Sequence, residues 1–221
     1  MKEITFEDIK KHEDIKTYLK CGNASLAAMG FTEHSFAHAT RVAEKAAQIL
    51  LDLGFSERLS ELAKIAGYMH DIGNVVNRHD HAQSSAVLAF KLLSDIKMSA
   101  GEIAVVVSSI GNHDEGTGHA VNPVSAALIL ADKSDVRRSR VRNRDIQNYD
   151  IHDRVNYAAT ESDLVIDKEN KTITLKLTID SELCDLMDYF EIFMGRMLMS
   201  RRAADYLGMK FGLVINNTKF L

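Results

Sequence analysis

Apolar residues recur three and four positions apart through the first two thirds of the chain, and at alternate positions for a stretch after that. In HSFAHATRVAEKAAQILLDL (34–53), Val42, Ala46, Ile49, Leu50 and Leu53 share one face, which predicts an amphipathic helix. Gly54 marks its end, and Ser56 reads as the N-cap of the next helix. That helix has the stripe Leu59, Leu62, Ala63, Ala66 and Met69, runs into His70-Asp71 and ends near Gly73. Residues 1–30 read as one or two lead-in helices, and 82–95 and 99–111 as further ones. GEIAVVVSSI suits a strand equally well by composition; its helical neighbours favour a helix. Another helix begins at Pro123, a good first-turn residue, and carries VSAALILADKSD.

The pattern changes after about residue 150. Residues 155–166 and 171–179 alternate polar and apolar, are rich in β-branched side chains and flank the polar turn DKEN, which predicts a hairpin. A helix over about 181–207 and a short strand, GLVINN, follow. The expected fold is therefore mainly α: a helical domain over 1–150 and a small α+β appendage over 151–221 in β-β-α-β order. No internal repeat or low-complexity tract interrupts it.

Composition narrows the function classes. The chain of 221 residues has a formal charge of -4 and a pI of about 6.1, so its overall field does not favour nucleic acid as a partner. No apolar run reaches the ~18 residues that span a bilayer, so a membrane is not an expected partner. The opening MKEITFEDIKKHEDIK is too charged for a signal peptide. The two cysteines, Cys21 and Cys184, suggest no disulfide framework, which fits a reducing, cytoplasmic setting. The Met-rich helix with Met187, Met194, Met197 and Met199 suits core packing or a subunit contact, the latter implying a homodimer.

Seven of nine histidines lie between residues 34 and 119, and this clustering raises metal binding. His38 is expected one helical turn from His34, so that both rings face the same way. His70 and Asp71 are consecutive. A turn in the backbone at the helix end would let both reach one centre, and the two oxygens of Asp71 could each ligate an ion. Asp132 ends the apolar run ALILA and is drawn toward the interior, where a cation is a suitable partner. His81 and His113, each in a loop beside a helix, would complete a second position, with His79 as the alternate to His81. Imidazole mixed with carboxylate suits one or two divalent transition ions: Fe, Mn, Zn, Ni or Co.

The ordered set H38-x-x-RV, M-HD-IG at 69–73, H81-x-x-x-S, NHDEG around His113 and LADKSD at 130–135 resembles the HD superfamily of metal-dependent phosphohydrolases over roughly residues 30–145. A second His-Asp dipeptide, His152-Asp153, is read as chance. The resemblance implies His38, His70, Asp71 and Asp132 as ligands of a first metal. It implies His81 and His113 as ligands of a second, with Asp71 bridging. It is nearest in look to the two-metal dinucleoside-tetraphosphatase-like branch. The second His and the GYP signature of cyclic-dinucleotide phosphodiesterases are missing, as is the carboxylate pair of (p)ppGpp hydrolases. Asn74 stands where relatives often have Lys.

The expected function is hydrolysis of a phosphoester or phosphoanhydride in a small phosphorylated substrate, a nucleotide or a related molecule, by metal-activated water. Besides Asp71, Lys133 is the expected phosphate contact, with Arg137 and Arg41 as further substrate-binding candidates. His34 is the candidate general acid or orienting group. The run Arg137, Arg138, Arg140, Arg142, Arg144 reads as a phosphate-binding surface or a solvated face. His12 and His119 read as structural or solvated. A di-iron oxygenase on the same ligands, and a non-catalytic sensor that uses the appendage, are the alternatives.

Overall fold

Two helices, α1 (Phe6–Lys11) and α2 (Glu13–Ala28), lead into the bundle in a computed structural model that describes residues 3–143, 145, 147 and 149–221. Thr5 and Asp8 form a reciprocal capping box that starts α1. The central pair is α3 (Phe36–Asp52), capped by Ser35, and α4 (Glu57–Met69), capped by Ser56. Val42, Ala46, Ile49 and Leu50 of α3 are fully buried, so the predicted stripe is the packing face. Gly67 sets how closely the pair approaches. A Cβ there would lie 2.7 Å from the Cα of Ala43 on α3. The helix ends at Met69, earlier than expected. Asp71 adopts φ -106°, ψ 4°, and a 3-10 turn spans Ile72–Val75.

The bundle continues through α5 (His81–Asp95), α6 (Ala100–Gly111) and α7 (Pro123–Lys133). The Val-rich segment is helical, as its neighbours predicted. Asn122 and Ser125 cap α7 reciprocally, with Pro123 in the first turn. Every residue from Val124 to Ala131 is buried, which marks α7 as a core helix and carries Asp132 and Lys133 toward the interior.

The C-terminal segment departs from expectation at its start. Residues 155–158, expected as strand, belong instead to a helix, α8 (Ile151–Ala158), whose start the Asp150 side chain caps by accepting the Asp153 N–H at 2.7 Å. Strand alternation begins only at β1 (Ala159–Asp167), which pairs antiparallel with β2 (Thr172–Ile179). Next comes α9 (Leu186–Tyr206), starting five residues later than expected. β3 (Lys210–Ile215) then runs parallel to β2, and a two-residue strand, β4 (Thr218–Lys219), closes the sheet in the order β1-β2-β3-β4. The protein is thus mainly α with a small α+β appendage. One hydrophobic cluster joins Ile49, Leu128, Phe193 and Leu213, so the core runs from the bundle through α9 into the sheet. On α9, Met197 and Met199 are buried while Met187 and Met194 are exposed. No helix among the described residues is long and apolar enough to cross a membrane.

Gly67→Ala is expected to destabilise the fold by about 1–3 kcal/mol, since overpacking outweighs the helix-propensity gain of about 1 kcal/mol. Because α3 carries His38 and α4 leads into His70, metal affinity should fall as well. Thermal melts and metal titration of the variant check both effects; an unchanged Tm would show that the helices are free to separate.

Candidate metal centre

Four imidazoles are anchored in the same way. The Nδ1 of His38 lies 2.7 Å from Asp135 Oδ2, that of His70 2.7 Å from the Gly67 carbonyl, that of His81 3.1 Å from the Arg78 carbonyl and that of His113 2.6 Å from the Ile110 carbonyl. Each of these oxygens can only accept, so each Nδ1 carries a hydrogen and each Nε2 is left as the lone-pair side of the neutral ring. The four Nε2 atoms converge. His38 and His70 stand 3.3 Å apart and His81 and His113 3.2 Å apart, a poor arrangement for unprotonated nitrogens unless a cation or proton lies between them.

The carboxylates complete the convergence. Asp71 Oδ2 is 3.6 Å from His38 Nε2 and 3.2 Å from His70 Nε2, while its Oδ1 is 3.4 Å from His81 Nε2. Asp132 Oδ1 lies 3.4 Å from His38 Nε2 and 3.6 Å from His70 Nε2. Three overlapping groups can each hold an ion: His38-His70-Asp71, His70-His113-Asp132 and Asp71-His81-His113. The end of α4 makes this possible. Asp71 leaves helical geometry and points its carboxylate where its neighbour His70 also reaches.

Burial opposes charge on every group here, and neighbours decide the outcome. For Asp71 burial is overcome by His70, and for Asp132 by Lys133, so both carboxyls stay well below the usual range. Burial disfavours charge on His70, yet Asp71 and Asp132 raise it to about 10. Burial, with His70 and Lys133 adding repulsion, drives His113 down to about 3, and burial also lowers His81. The two carboxylates therefore demand positive charge at the meeting point of the rings, and a divalent cation with neutral imidazoles would supply it.

Several residues around the centre were given no role from the sequence. Asp135 orients His38 and is itself held by Arg137 and by the buried Arg140. Its spacing of three from Asp132 in LADKSD was the available signal. Asn74 Nδ2 donates to Asp71 Oδ1 at 2.9 Å, so the position that often holds Lys here orients the carboxylate. Glu115 of the NHDEG segment ties Lys133 (3.3 Å) to Arg196 (2.9 Å) on α9. Arg78 Nη1 lies 3.2 Å from His81 Nε2. Nothing in the local sequence marks Arg78 or Arg196.

The other expected residues are not all placed alike. Lys133 is buried with its Nζ 2.7 Å from Asp132 Oδ2, beside the centre. His34 precedes α3 rather than lying on it, so the expected helical alignment with His38 does not hold; the rings still meet edge to face at 5.5 Å. Its Nδ1–H donates to the Thr32 carbonyl, and burial, followed by Arg140, holds its pKa well below the usual value. His34 thus offers an acceptor rather than an acid. Arg137 is engaged by both oxygens of Asp135 and by Glu33, and Arg41 is exposed 3.7 Å from Asp135 Oδ1. Both reach the centre through Asp135, and their charges are already matched by carboxylates.

The arginine run proves to be stitching rather than an open surface. Arg140 bonds the carbonyls of Glu33 and Asp135, Arg142 bonds Asn23 and the Phe31 carbonyl, and Arg138 stacks over Tyr157. Arg144 lies outside the described residues. His79 is exposed and paired with Asp80, which leaves His81 at the centre. His119 is exposed, and His12 joins α1 to α2.

A family model for the HD domain matches residues 35–155, more than half of the chain, and the chain belongs to that family. It is also 26% identical over 203 residues to an uncharacterized protein of Methanocaldococcus jannaschii, covering 81% of this chain and 78% of that protein.

Asp135→Asn should weaken metal affinity about 10–100-fold with the fold retained, as expected for loss of the carboxylate behind a ligating imidazole; metal titration monitored beside circular dichroism checks it. Metal binding should also release a proton. His70, raised to about 10, is protonated at neutral pH, and a cation on its Nε2 must displace that proton, so affinity rises with pH. Calorimetry in buffers of different ionisation enthalpy reads the release, and heats independent of buffer would contradict it.

Proposed function

We propose that this HD-domain protein is a metal-dependent phosphohydrolase acting on a phosphoester or phosphoanhydride of a nucleotide or related small molecule. The observation that carries the reading is the convergence of four anchored imidazoles on both oxygens of Asp71, with Asp132 beside them. His38, His70, Asp71 and Asp132 would hold one divalent ion. His81 and His113 would hold a second, with Asp71 shared. Fe, Mn, Zn, Ni and Co suit this donor set. When bound, such an ion lowers the pKa of its water toward neutrality and polarises phosphate oxygens.

The protein's own groups supply the rest. Asn74 fixes the Asp71 carboxylate, and Asp135 fixes the His38 ring, so neither ligand needs to reorganise. Lys133, poised between Asp132 and Glu115, brings a cation to the edge of the ligand set and would meet a phosphate oxygen. Arg78, beside His81, adds a second positive group on the open side. A di-iron oxygenase would use the same ligands, but this concentration of cations favours an anionic substrate. His34, as an acceptor, would orient a water or hydroxyl near the centre.

Metal-loaded protein should release phosphate or nucleotide from a panel of mono-, di- and cyclic nucleotides and sugar phosphates. Asp71→Ala should reduce release to background. Full metal occupancy with no turnover across the panel would overturn the hydrolase reading, and oxygen uptake confined to the iron-loaded protein would replace it.

A further inference from the structure

A semi-enclosed cavity of about 200 Å³ lies between the bundle and the C-terminal segment. Its bundle wall includes Phe31, His34 and Arg78, and its C-terminal wall includes Asp150, Asp153, Asn156, Phe193 and Arg196. Three contacts place one end of it against the ligand cluster. The His34 ring meets the His38 ring, Arg78 Nη1 touches His81 Nε2, and Arg196 bonds Glu115, which holds Lys133.

That end is cationic. Arg78 has no carboxylate within ion-pair distance among the described residues, and it lies over the Phe31 ring at 5.9 Å. Arg196 stacks on Phe193 at 4.4 Å, which holds its guanidinium in place. The C-terminal wall also carries acceptors. Asp150 caps α8, Asp153 is in its first turn and Asn156 one turn on, and Asp153 and Asn156 are buried. Burial, followed by Asp150, raises the Asp153 carboxyl, whose Oδ2 also meets the Asn143 amide at 3.5 Å. The volume is below the ~300–1,000 Å³ of drug-sized ligand pockets, which suits one small polar moiety.

From this lining and these contacts we infer that the cavity is the substrate subsite of the metal centre, built jointly by the bundle and α8–α9, and that it selects a small phosphate ester bearing hydroxyl or amino donors. Arg78 and Arg196 bind phosphate charge. Asp153 and Asn156 accept hydrogen bonds from the donor-bearing end. The inference rests on the phosphohydrolase reading for its chemistry and on the cavity alone for its location. It gives the C-terminal segment a role in specificity. The second His-Asp dipeptide, His152-Asp153, then belongs to the wall of the subsite rather than to the ligand set.

Two probes separate the cations from the acceptors: ribose 5-phosphate, which carries hydroxyl donors, and phenyl phosphate, which carries none. Each is measured with the metal-loaded full chain, as KM where it is turned over and as Kd where it is not. Arg196→Met, which keeps the stem and its packing, should raise the value for both probes about 10–100-fold while metal content stays at the wild-type level. Asp153→Ala and, independently, Asn156→Leu should weaken ribose 5-phosphate about tenfold and leave phenyl phosphate within about twofold. Two variants guard against local unfolding of α8, which circular dichroism would show. Turnover with both probes unaffected by Arg196→Met would overturn the subsite and leave the hydrolase standing. The expected binding pattern without any turnover would support the subsite and remove the hydrolase.

Discussion

Two carboxylates held close together in a nearly dry site organise this protein. Asp71 is 5% exposed and Asp132 13%, and neither can stay ionised there without positive charge at hand. His70 and Lys133 answer part of that demand, and the converging Nε2 atoms define where a cation answers the rest. The surrounding structure serves this one requirement. Asp135, Asn74 and three backbone carbonyls fix the ligand side chains, and Arg137 and Arg140 in turn keep Asp135 ionised. Burial opposes this ionisation, while the hydrogen bond to His38 and the charge of Arg140 hold the carboxyl far below its ordinary range.

The fold meets that requirement by bringing helix ends together. His70 and Asp71 close α4, His113 follows α6, Asp132 nears the end of α7, and His81 opens α5. Helix ends suit ligands because the backbone changes direction there and frees consecutive side chains to converge. His38 also stands near a helix end, in the first turn of α3, and the close approach at Gly67 sets that helix against α4. α7, apolar on all sides, is held by the core around it and so carries Asp132 and Lys133 on a rigid support.

The C-terminal segment is joined to this centre by core packing of α9 on α7 and by a polar path from Arg196 through Glu115 to Lys133. An isolated appendage would need only its own core. The continuity of the cluster from Leu128 to Phe193 instead lets α8 and α9 wall a cavity against the ligands.

Local periodicity made the bundle legible. Helix faces, the cap at Ser56, the early-helix Pro123 and the His and Asp residues that gather at the centre all follow from spacings of a few residues, because helices and their ends are set by short-range sterics and hydrogen bonding. Where local signals conflicted, the reading failed: Asp150 caps a helix over 151–158 whose last four residues the alternating pattern had suggested as strand. The partners of the ligands were not legible at all. Asp135 meets His38 from 97 positions away and Arg196 meets Glu115 from 81, while Arg137 and Arg41, nearer in sequence to the ligands, turn to other carboxylates. The sequence alone determined which side chains could ligate an ion. Tertiary packing decided what holds them, which cations stand beside them and which segments wall the adjoining cavity, because those contacts join segments whose separation along the chain carries no periodic signal.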